Sequence, residues 1–359
     1  MPVGVILATY GEPPVNSFAQ QWMYSFRILR GLTRKIAKIP AVALPMIATA
    51  RARGRVRLWD QNSFLSPLER LHHETVVAVR EELVRRGHNG DTIVIPAYEF
   101  RHPGLADAVR QLDRAGCERV IVVPMYVAEG DFTHGMTRFA VDEALAAIPA
   151  WRGRISVVSM TASEPGVLAL GSTLGAWFFD ALRARGLGAL GREWAVMLAA
   201  HGTVVNPPAG VDNGLAQFSS VLRHVQAAVA PHVGRVSVGW LNHTRGGEWT
   251  KPAVPEALAQ LRLDGYRKLV YFPWGFTTDN AETMLEGRIA LRGMADPFER
   301  VEYLECMNTY PRFISILTDC IEQTVMVPRP LPGPSRAPSP ARSARSSSIA
   351  HPAAPRIAR

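Results

Sequence analysis

Short apolar runs alternate along this chain with longer segments in which apolar residues recur every three or four positions. The runs are residues 3–8, 92–97, 119–127, 155–160, 195–200, 236–240 and 268–276. They lack regular apolar and polar alternation, which predicts strands covered on both faces. The segments with helical spacing include residues 68–86, 105–115 and 215–228. Alternating strands and helices predict an α/β fold with parallel sheets and helices on both faces.

The pattern of the first half returns in the second half. QLDRAGCERVIVVPMYVAEGDFTHG aligns with QLRLDGYRKLVYFPWGFTTDNAET, which places Gly116 against Gly265 and Pro124 against Pro273. The opening strand aligns in the same way with residues 194–200. Two similar Rossmann-like lobes are therefore predicted, residues 1–165 and 166–326, with the active site in their shared crevice.

The charge of the chain is unevenly distributed. The 359 residues carry a formal net charge of +9, and residues 327–359 contain six arginines and no acid. Residues 1–326 therefore have a net charge of only +3, so no nucleic-acid partner is expected. The Pro/Ser/Ala/Arg composition of residues 327–359 cannot bury enough apolar surface to fold, which predicts a disordered tail.

Two polar side chains follow predicted buried strands and are candidates for chemistry. His201 comes directly after residues 195–200, and Glu282 follows residues 268–276 and a polar turn. Ligands of open α/β sheets bind at the carboxyl ends of strands. A neutral imidazole and a carboxylate meeting there can handle a divalent metal ion and protons. For Glu282 the alternative is a capping box begun by Asp279 or Thr278.

Several classes of protein are excluded by missing signatures. The chain has no GxGxxG after its first strand, no GxxxxGK[ST], no GxSxG and no HExxH. Its longest apolar segment, residues 39–50, is too short to cross a bilayer, and no signal peptide is apparent. The three cysteines form no CxxC and cannot supply the four thiolates of an iron–sulfur cluster, so no such cluster is expected. A cytoplasmic location is expected.

Eight segments spread along the chain form a set of motifs: GVILATYGEPP, LPMIATARARGRVRLW, FLSPLER, PAYEFRHPGL, VVPMY, MLAAHG, GWLNHTRGGEWTKP and FPWGFTTDNAETMLE. Together they resemble the ferrochelatase family, whose members insert ferrous iron into a porphyrin late in haem synthesis. The resemblance spans about residues 3–319. It differs where the family has Asp-Pro-Tyr-Pro after the histidine, because this chain reads AGVDNGLAQF there.

The resemblance implies roles for individual residues. His201 takes the place of the family's metal-handling histidine and Glu282 that of its acidic partner, so both are predicted to be catalytic. With Glu286 they form the predicted metal ligands. The predicted substrate contacts are Tyr10, Arg30, Ser66, Tyr126, Trp240 and Trp274. For the aromatic residues, burial in the core is the alternative.

A basic cluster surrounds the apolar segment 39–50, which is predicted to be either a packed helix or a lip that meets an apolar porphyrin at the membrane surface. The resemblance favours the lip. Arg30 is expected to bind substrate propionates, and the arginines of residues 51–57 are expected to contact acidic lipid, which implies peripheral association with the inner face of the membrane.

The predicted function is insertion of Fe²⁺ into protoporphyrin IX or coproporphyrin III, with iron as substrate and no permanently bound cofactor. Two alternatives stay open. One is a cobalt or nickel chelatase that acts on a more carboxylated, sirohydrochlorin-like tetrapyrrole. The other is a tetrapyrrole-binding or haem-binding protein without turnover, motivated by the missing Asp-Pro-Tyr-Pro segment. The sequence sets no oligomeric state.

Overall fold

The structure is a computed structural model that describes residues 2–36, 39–88, 90–242 and 248–326. The predicted tail, residues 327–359, lies outside the described residues, and its disorder stays a prediction. Within the first half, the described chain forms β1 (Val3–Thr9), α1 (Phe18–Lys35), α2 (Leu44–Gln61), α3 (Leu68–Arg85), β2 (Thr92–Tyr98), α4 (Leu105–Arg114), β3 (Arg119–Pro124), α5 (His134–Ala147) and β4 (Ile155–Val157).

The second half repeats the alternation of strands and helices. It forms α6 (Glu164–Ala184), β5 (Trp194–His201), α7 (Leu215–Val229), β6 (Arg235–Leu241), α8 (Val254–Leu263), β7 (Lys268–Phe272), a π-helical turn (Glu282–Glu286), α9 (Gly287–Arg292), β8 (Arg300–Tyr303) and α10 (Pro311–Met326). Short 3₁₀ turns occur at Ala41–Ala43, Pro149–Trp151 and Ala230–His232.

Each half contains one parallel sheet of four strands. The strand orders are β2-β1-β3-β4 and β6-β5-β7-β8, so the two sheets have the same topology. Gly116 and Gly265 both adopt positive φ, 78° and 90°, in the turns before β3 and β7. The predicted α/β class with two similar Rossmann-like halves is therefore confirmed.

The strands β1 and β5 lie inside their sheets, and this position explains their composition. Each pairs with a parallel neighbour on both sides. All seven residues of β1 are buried, as are the first seven of β5. His201 is the last residue of β5 and the first that reaches solvent. The apolar run 195–200 thus delivers this histidine to the carboxyl edge of the sheet.

One large core joins the two sheets. It contains Leu7 of β1, Leu198 of β5, Phe178 of α6 and Phe313 of α10. The helix α10 packs against α3 and β3 of the first half as well as against α6. The described chain up to residue 326 is therefore one compact unit, and the predicted lobe boundary at residue 165 stays a prediction.

Some predicted strands are shorter in the structure. β3 ends at Pro124, and β7 ends at Phe272, just before Pro273. Proline has no N–H to donate to a ladder, so both strands stop there rather than at residues 127 and 276. The edge strand β8 was not predicted because its four residues are only partly buried and two of them, Arg300 and Glu302, are charged.

The apolar segment 39–50 is helical and packed on one side only. Leu44 and Ala48 are buried against Leu29 of α1, whereas Val42 is 90% exposed and Met46 is 71% exposed. The segment is therefore a packed helix, as the first alternative predicts, with apolar side chains exposed on its outer side. Its contact with a porphyrin at the membrane surface stays a prediction.

One helix in the described part of the chain, α6, is long and apolar enough to cross a membrane by length and composition. Half of its most apolar window is buried inside the protein. Val167, Leu170, Leu174 and Phe178 of this helix belong to the shared core. This burial is typical of the core helix of a globular domain.

Candidate active site

His201 and Glu282 lie across one crevice. The His201 Nε2 atom is 3.9 Å from Glu282 Oε1. The other ring nitrogen of His201, Nδ1, lies 2.5 Å from the carbonyl oxygen of Gly202, which can only accept. Nδ1 therefore carries the hydrogen, and in the neutral ring the lone pair is on Nε2, on the side of Glu282. Because metal bonds to imidazole and carboxylate are each about 2.1 Å long, both groups can reach one metal ion.

Gly202 lets the chain turn away from the histidine. A Cβ atom on this residue would lie 1.7 Å from Oδ1 of Asn242 and 3.1 Å from the carbonyl oxygen of Leu241. The Asn242 amide in turn donates to the carbonyl of Thr250 at 3.0 Å. A larger residue at position 202 would therefore displace the Asn242 side chain from this hydrogen bond.

Glu282 is positioned by a capped π-helical turn. The side-chain oxygen of Asn280 accepts hydrogen bonds from the backbone N–H groups of Glu282, at 2.8 Å, and Thr283, at 3.2 Å. Asn280 is therefore the cap, not Asp279 or Thr278. Single π turns occur often at functional sites, because the wider turn re-aims side chains. Here it begins at Glu282 and ends at Glu286.

Glu12, a residue that the sequence analysis did not single out, joins the first half to this turn. Its side chain is only 2% exposed. Its Oε2 atom accepts from the backbone N–H of Ala281 at 2.9 Å and from the hydroxyl of Ser66 at 2.5 Å. The Ser66 hydroxyl is thus bonded to the buried carboxylate, and its predicted contact with substrate stays a prediction. The sequence signal for Glu12 is its position directly after the Tyr10-Gly11 pair of the opening motif.

The arginines of α2 divide between two faces. Arg55 lies 3.5 Å from Glu12 Oε1 and donates to Gln21 at 2.8 Å. Burial raises the pKa of Glu12, and the Arg55 guanidinium opposes that rise. Burial also lowers the pKa of Arg51. Arg53 and Arg57 are exposed. The expectation that residues 51–57 all face lipid is therefore wrong for Arg51 and Arg55, which point inward.

Arg30 lies at a different place from the α2 arginines. It forms an ion pair with Glu143 of α5, and its side chain is half exposed. It lines a cavity of about 260 Å³ together with Arg27, Arg101 and His102. Its predicted contact with substrate propionates stays a prediction.

Tyrosines follow the ends of β1 and β3. Burial raises the pKa of Tyr10 well above its usual value, and the carboxylates of Glu12 and Glu282 add to the rise. Tyr126 donates from its hydroxyl to Oε2 of Glu99 at 2.8 Å. Both hydroxyls therefore stay protonated at neutral pH. Both residues end strands of the first sheet on the side where Thr277 donates to the carbonyl of Met125.

The two tryptophans predicted as substrate contacts are core residues. Trp274 is fully buried, with its ring 4.4 Å from that of Phe218, and Trp240 is 8% exposed and packs on the same phenylalanine. Their placement near strand ends is as predicted, but their rings face inward. The prediction is corrected in favour of the alternative of core packing.

Glu286 lies four residues after Glu282 in the π turn, where its charge raises the pKa of Arg55. Within the described ranges, no cluster of three or more histidine, cysteine, aspartate or glutamate side chains is arranged to hold a metal ion. The structure brings together His201 and Glu282 but does not gather Glu286 with them into one ligand set.

Two similar α/β halves that bring a histidine and a glutamate to one crevice define a protein of the chelatase type. The sequence is more specific. A ferrochelatase family model matches residues 2–325. The chain therefore belongs to the ferrochelatase family and is an enzyme, a porphyrin metal chelatase, which confirms the predicted resemblance.

Individual relatives are distant. The ferrochelatase of Synechococcus elongatus is 26% identical over 336 residues, covering 91% of this chain and 84% of that protein. The ferrochelatase of Nostoc punctiforme is 24% identical over 332 residues, covering 89% and 81%. Among solved structures, SirB from Bacillus subtilis with Fe³⁺ is similar with a TM-score of 0.52 at 11% identity, covering 91% of this chain and 96% of that one. That likeness shows the fold alone.

Proposed function

We propose that this chain inserts Fe²⁺ into protoporphyrin IX or coproporphyrin III in haem biosynthesis. The observation that carries the proposal is the His201–Glu282 pair, whose facing atoms are 3.9 Å apart at the meeting of the two lobes. The neutral imidazole offers its Nε2 lone pair to the incoming metal ion, and the carboxylate offers a charged oxygen.

Insertion also requires the removal of two pyrrole protons. Glu282 is suited to accept one, because its side chain is only 17% exposed and lies beside the metal-handling histidine. The metal ion enters as a dication and two protons leave, so the charge of the complex is unchanged.

Arg51, an inward arginine of α2, is suited to bind a carboxylate of the ring. Arg55 lies four residues further on and shares its helix face, but is paired with Glu12. Arginine matches a carboxylate with two parallel hydrogen bonds. In this proposal Arg51 holds a propionate, while Arg30 lies in the cavity beside α5.

The proposed location is the cytoplasm, with peripheral contact to the inner face of the membrane. Two exposed apolar residues would touch lipid: Val42 in the 3₁₀ turn before α2 and Met46 in the first turn of α2. The exposed Arg53 and Arg57 would meet acidic headgroups. A porphyrin could then pass between the membrane and the crevice without crossing water.

The test is a matrix of metals and rings. Purified protein is incubated without oxygen with Fe²⁺, Co²⁺ or Ni²⁺ and with protoporphyrin IX, coproporphyrin III or sirohydrochlorin, and insertion is followed by absorbance. We expect the fastest turnover with Fe²⁺ and one of the two porphyrins. Preference for Co²⁺ or Ni²⁺ with sirohydrochlorin would support the cobalt or nickel chelatase instead. Binding of rings without any insertion would support a tetrapyrrole-binding protein.

A further inference from the structure

Glu99 is a partly buried carboxyl group beside a cavity. It directly follows β2, and its Oε2 atom accepts from the Tyr126 hydroxyl at 2.8 Å. Its Oε1 atom accepts from the hydroxyl of Thr137 in α5. Glu99 also lines the cavity of about 260 Å³ between α1, α4 and α5. One carboxyl group therefore connects the Tyr126 hydroxyl with this cavity.

Tyr126 lies near residues of the second half. It comes two residues after β3, and the neighbouring Met125 carbonyl accepts from Thr277 of the second half at 2.9 Å. Tyr126 and Glu282 each lie close enough to Tyr10 to interact with it electrostatically. Tyr10 therefore lies near both Tyr126 and the acid of the His201–Glu282 pair.

The surroundings of Glu99 favour proton exchange near neutral pH. Burial raises the pKa of Glu99 to about 7, against the hydrogen bonds from Thr137 and Tyr126, which lower it. A group that titrates near the operating pH is the most effective proton acceptor. The charged and titratable groups around it are Tyr126, His134 and Glu143, and in the wall of the cavity Arg27, Arg30, Arg101, His102, Asp107 and Arg110.

Among these groups, His134 is the nearest imidazole to Tyr126, with ring centres 6.1 Å apart. Burial lowers the pKa of His134 to about 4, so it is neutral at the pH where Glu99 titrates. His102 accepts from Arg27 and donates to Asp107, so it is fixed in a polar chain on the cavity wall. Glu99 is the group in this region that accepts the hydrogen bond of the Tyr126 hydroxyl.

We propose that Glu99 is the second proton acceptor of metal insertion. The proton reaches Glu99 through the Tyr126 hydroxyl, and Glu99 then releases it into the cavity lined by Arg27, Arg30 and His102. This inference rests on the proposed function. The Tyr126 oxygen accepts a pyrrole proton while its own proton passes to Glu99 Oε2, so the tyrosine ends neutral. Glu282 takes the other proton. Two N–H bonds break, two metal–nitrogen bonds replace them, and no electron is transferred.

The first test is the pH dependence of Fe²⁺ insertion into protoporphyrin IX. The wild-type rate should fall as pH drops through about 7, because protonated Glu99 accepts nothing. Glu99→Gln should lower the plateau rate at least about tenfold and remove that acidic limb, with the porphyrin dissociation constant unchanged. Asp142→Asn, an exposed acid on α5, is the matched control and should keep the wild-type profile.

The second test moves the pKa without removing the group. Thr137→Val deletes a hydrogen bond that lowers the pKa of Glu99, so the acidic limb should shift to higher pH while the plateau rate is retained. This variant keeps the inference falsifiable even if Glu99→Gln folds poorly. Tyr126→Phe should cost as much as Glu99→Gln, and the double variant no more than either.

The outcomes separate the two proposals. The proposed role of Glu99 would be overturned if folded Glu99→Gln kept the wild-type pH–rate profile, or if the acidic limb of Thr137→Val did not shift. Either result would leave the proposed function intact. Absence of insertion by the wild-type protein with every metal and ring would overturn both.

Discussion

The buried carboxylate of Glu12 links two parts of this site. Glu12 follows the positive-φ turn at Gly11 and is held by Ser66, Ala281 and Arg55. A nearly buried ion pair stabilises little in itself, but the loss of one partner leaves the other charge without compensation. Glu12 therefore links the turn that carries Glu282 to Arg55 of α2.

Glu12→Gln should reduce the free energy of unfolding by about 3 kcal/mol, because Arg55 stays buried without its partner. Arg55→Gln should cost a similar amount, and the double variant should lose less than the sum. Urea unfolding measures all three. The exposed pair Arg70 and Glu74 is the control, for which Glu74→Gln should cost less than about 1 kcal/mol. Equal costs for the buried and exposed pairs would refute the coupling.

The helix α2 separates two functions by its two faces. Arg51 is partly buried and interacts electrostatically with Glu282 and Glu286, whereas Arg53, two positions on, is exposed. Side chains two positions apart do not share a helix face. The face that carries Arg51 is thus available to a substrate, and the one that carries Arg53 to a lipid surface.

Arg51→Ala should weaken porphyrin binding about tenfold, with a larger loss for coproporphyrin III than for protoporphyrin IX, since a hydrogen bond to a charged group contributes about 1.5–3 kcal/mol. Arg53→Ala should leave porphyrin affinity unchanged and weaken binding to vesicles that contain acidic lipid. Fluorescence titration and vesicle sedimentation measure the two effects. The reverse pattern would show that the faces have been assigned the wrong way round.

The sequence predicts the buried strands well because their apolar runs report burial on both faces. It therefore places His201 correctly at the end of β5 and Glu282 in the first turn of the helical segment that follows β7. It fails for β8, which is short and partly charged, and for Trp274, because an aromatic residue near a strand end has the same sequence signal whether its ring faces the core or the crevice. Glu12 and Glu99 were missed for another reason, since their roles arise from partners distant in sequence, Ala281 and Tyr126.

The repeated topology of the two halves brings together the edges of the two sheets at which their strands end. The first sheet contributes Tyr10, Glu12 and Tyr126, and the second contributes His201 and Glu282. The shared core and the return of α10 onto α3 hold the halves as one compact unit. Arg86 of the first half strengthens this junction through ion pairs with Asp319 and Glu322 of α10. Groups from both halves can therefore act on one ring.

The most direct test of this account is a single-turnover measurement on His201→Ala loaded with protoporphyrin IX and mixed with Fe²⁺ without oxygen. We expect porphyrin to bind as in the wild type, while the absorbance change of insertion slows by at least about a hundredfold, because the lone pair that receives the metal is gone. His73→Ala, which removes an exposed histidine of α3, should behave as wild type. Insertion by His201→Ala at the wild-type rate would contradict the assignment of His201 as the residue that receives the metal ion.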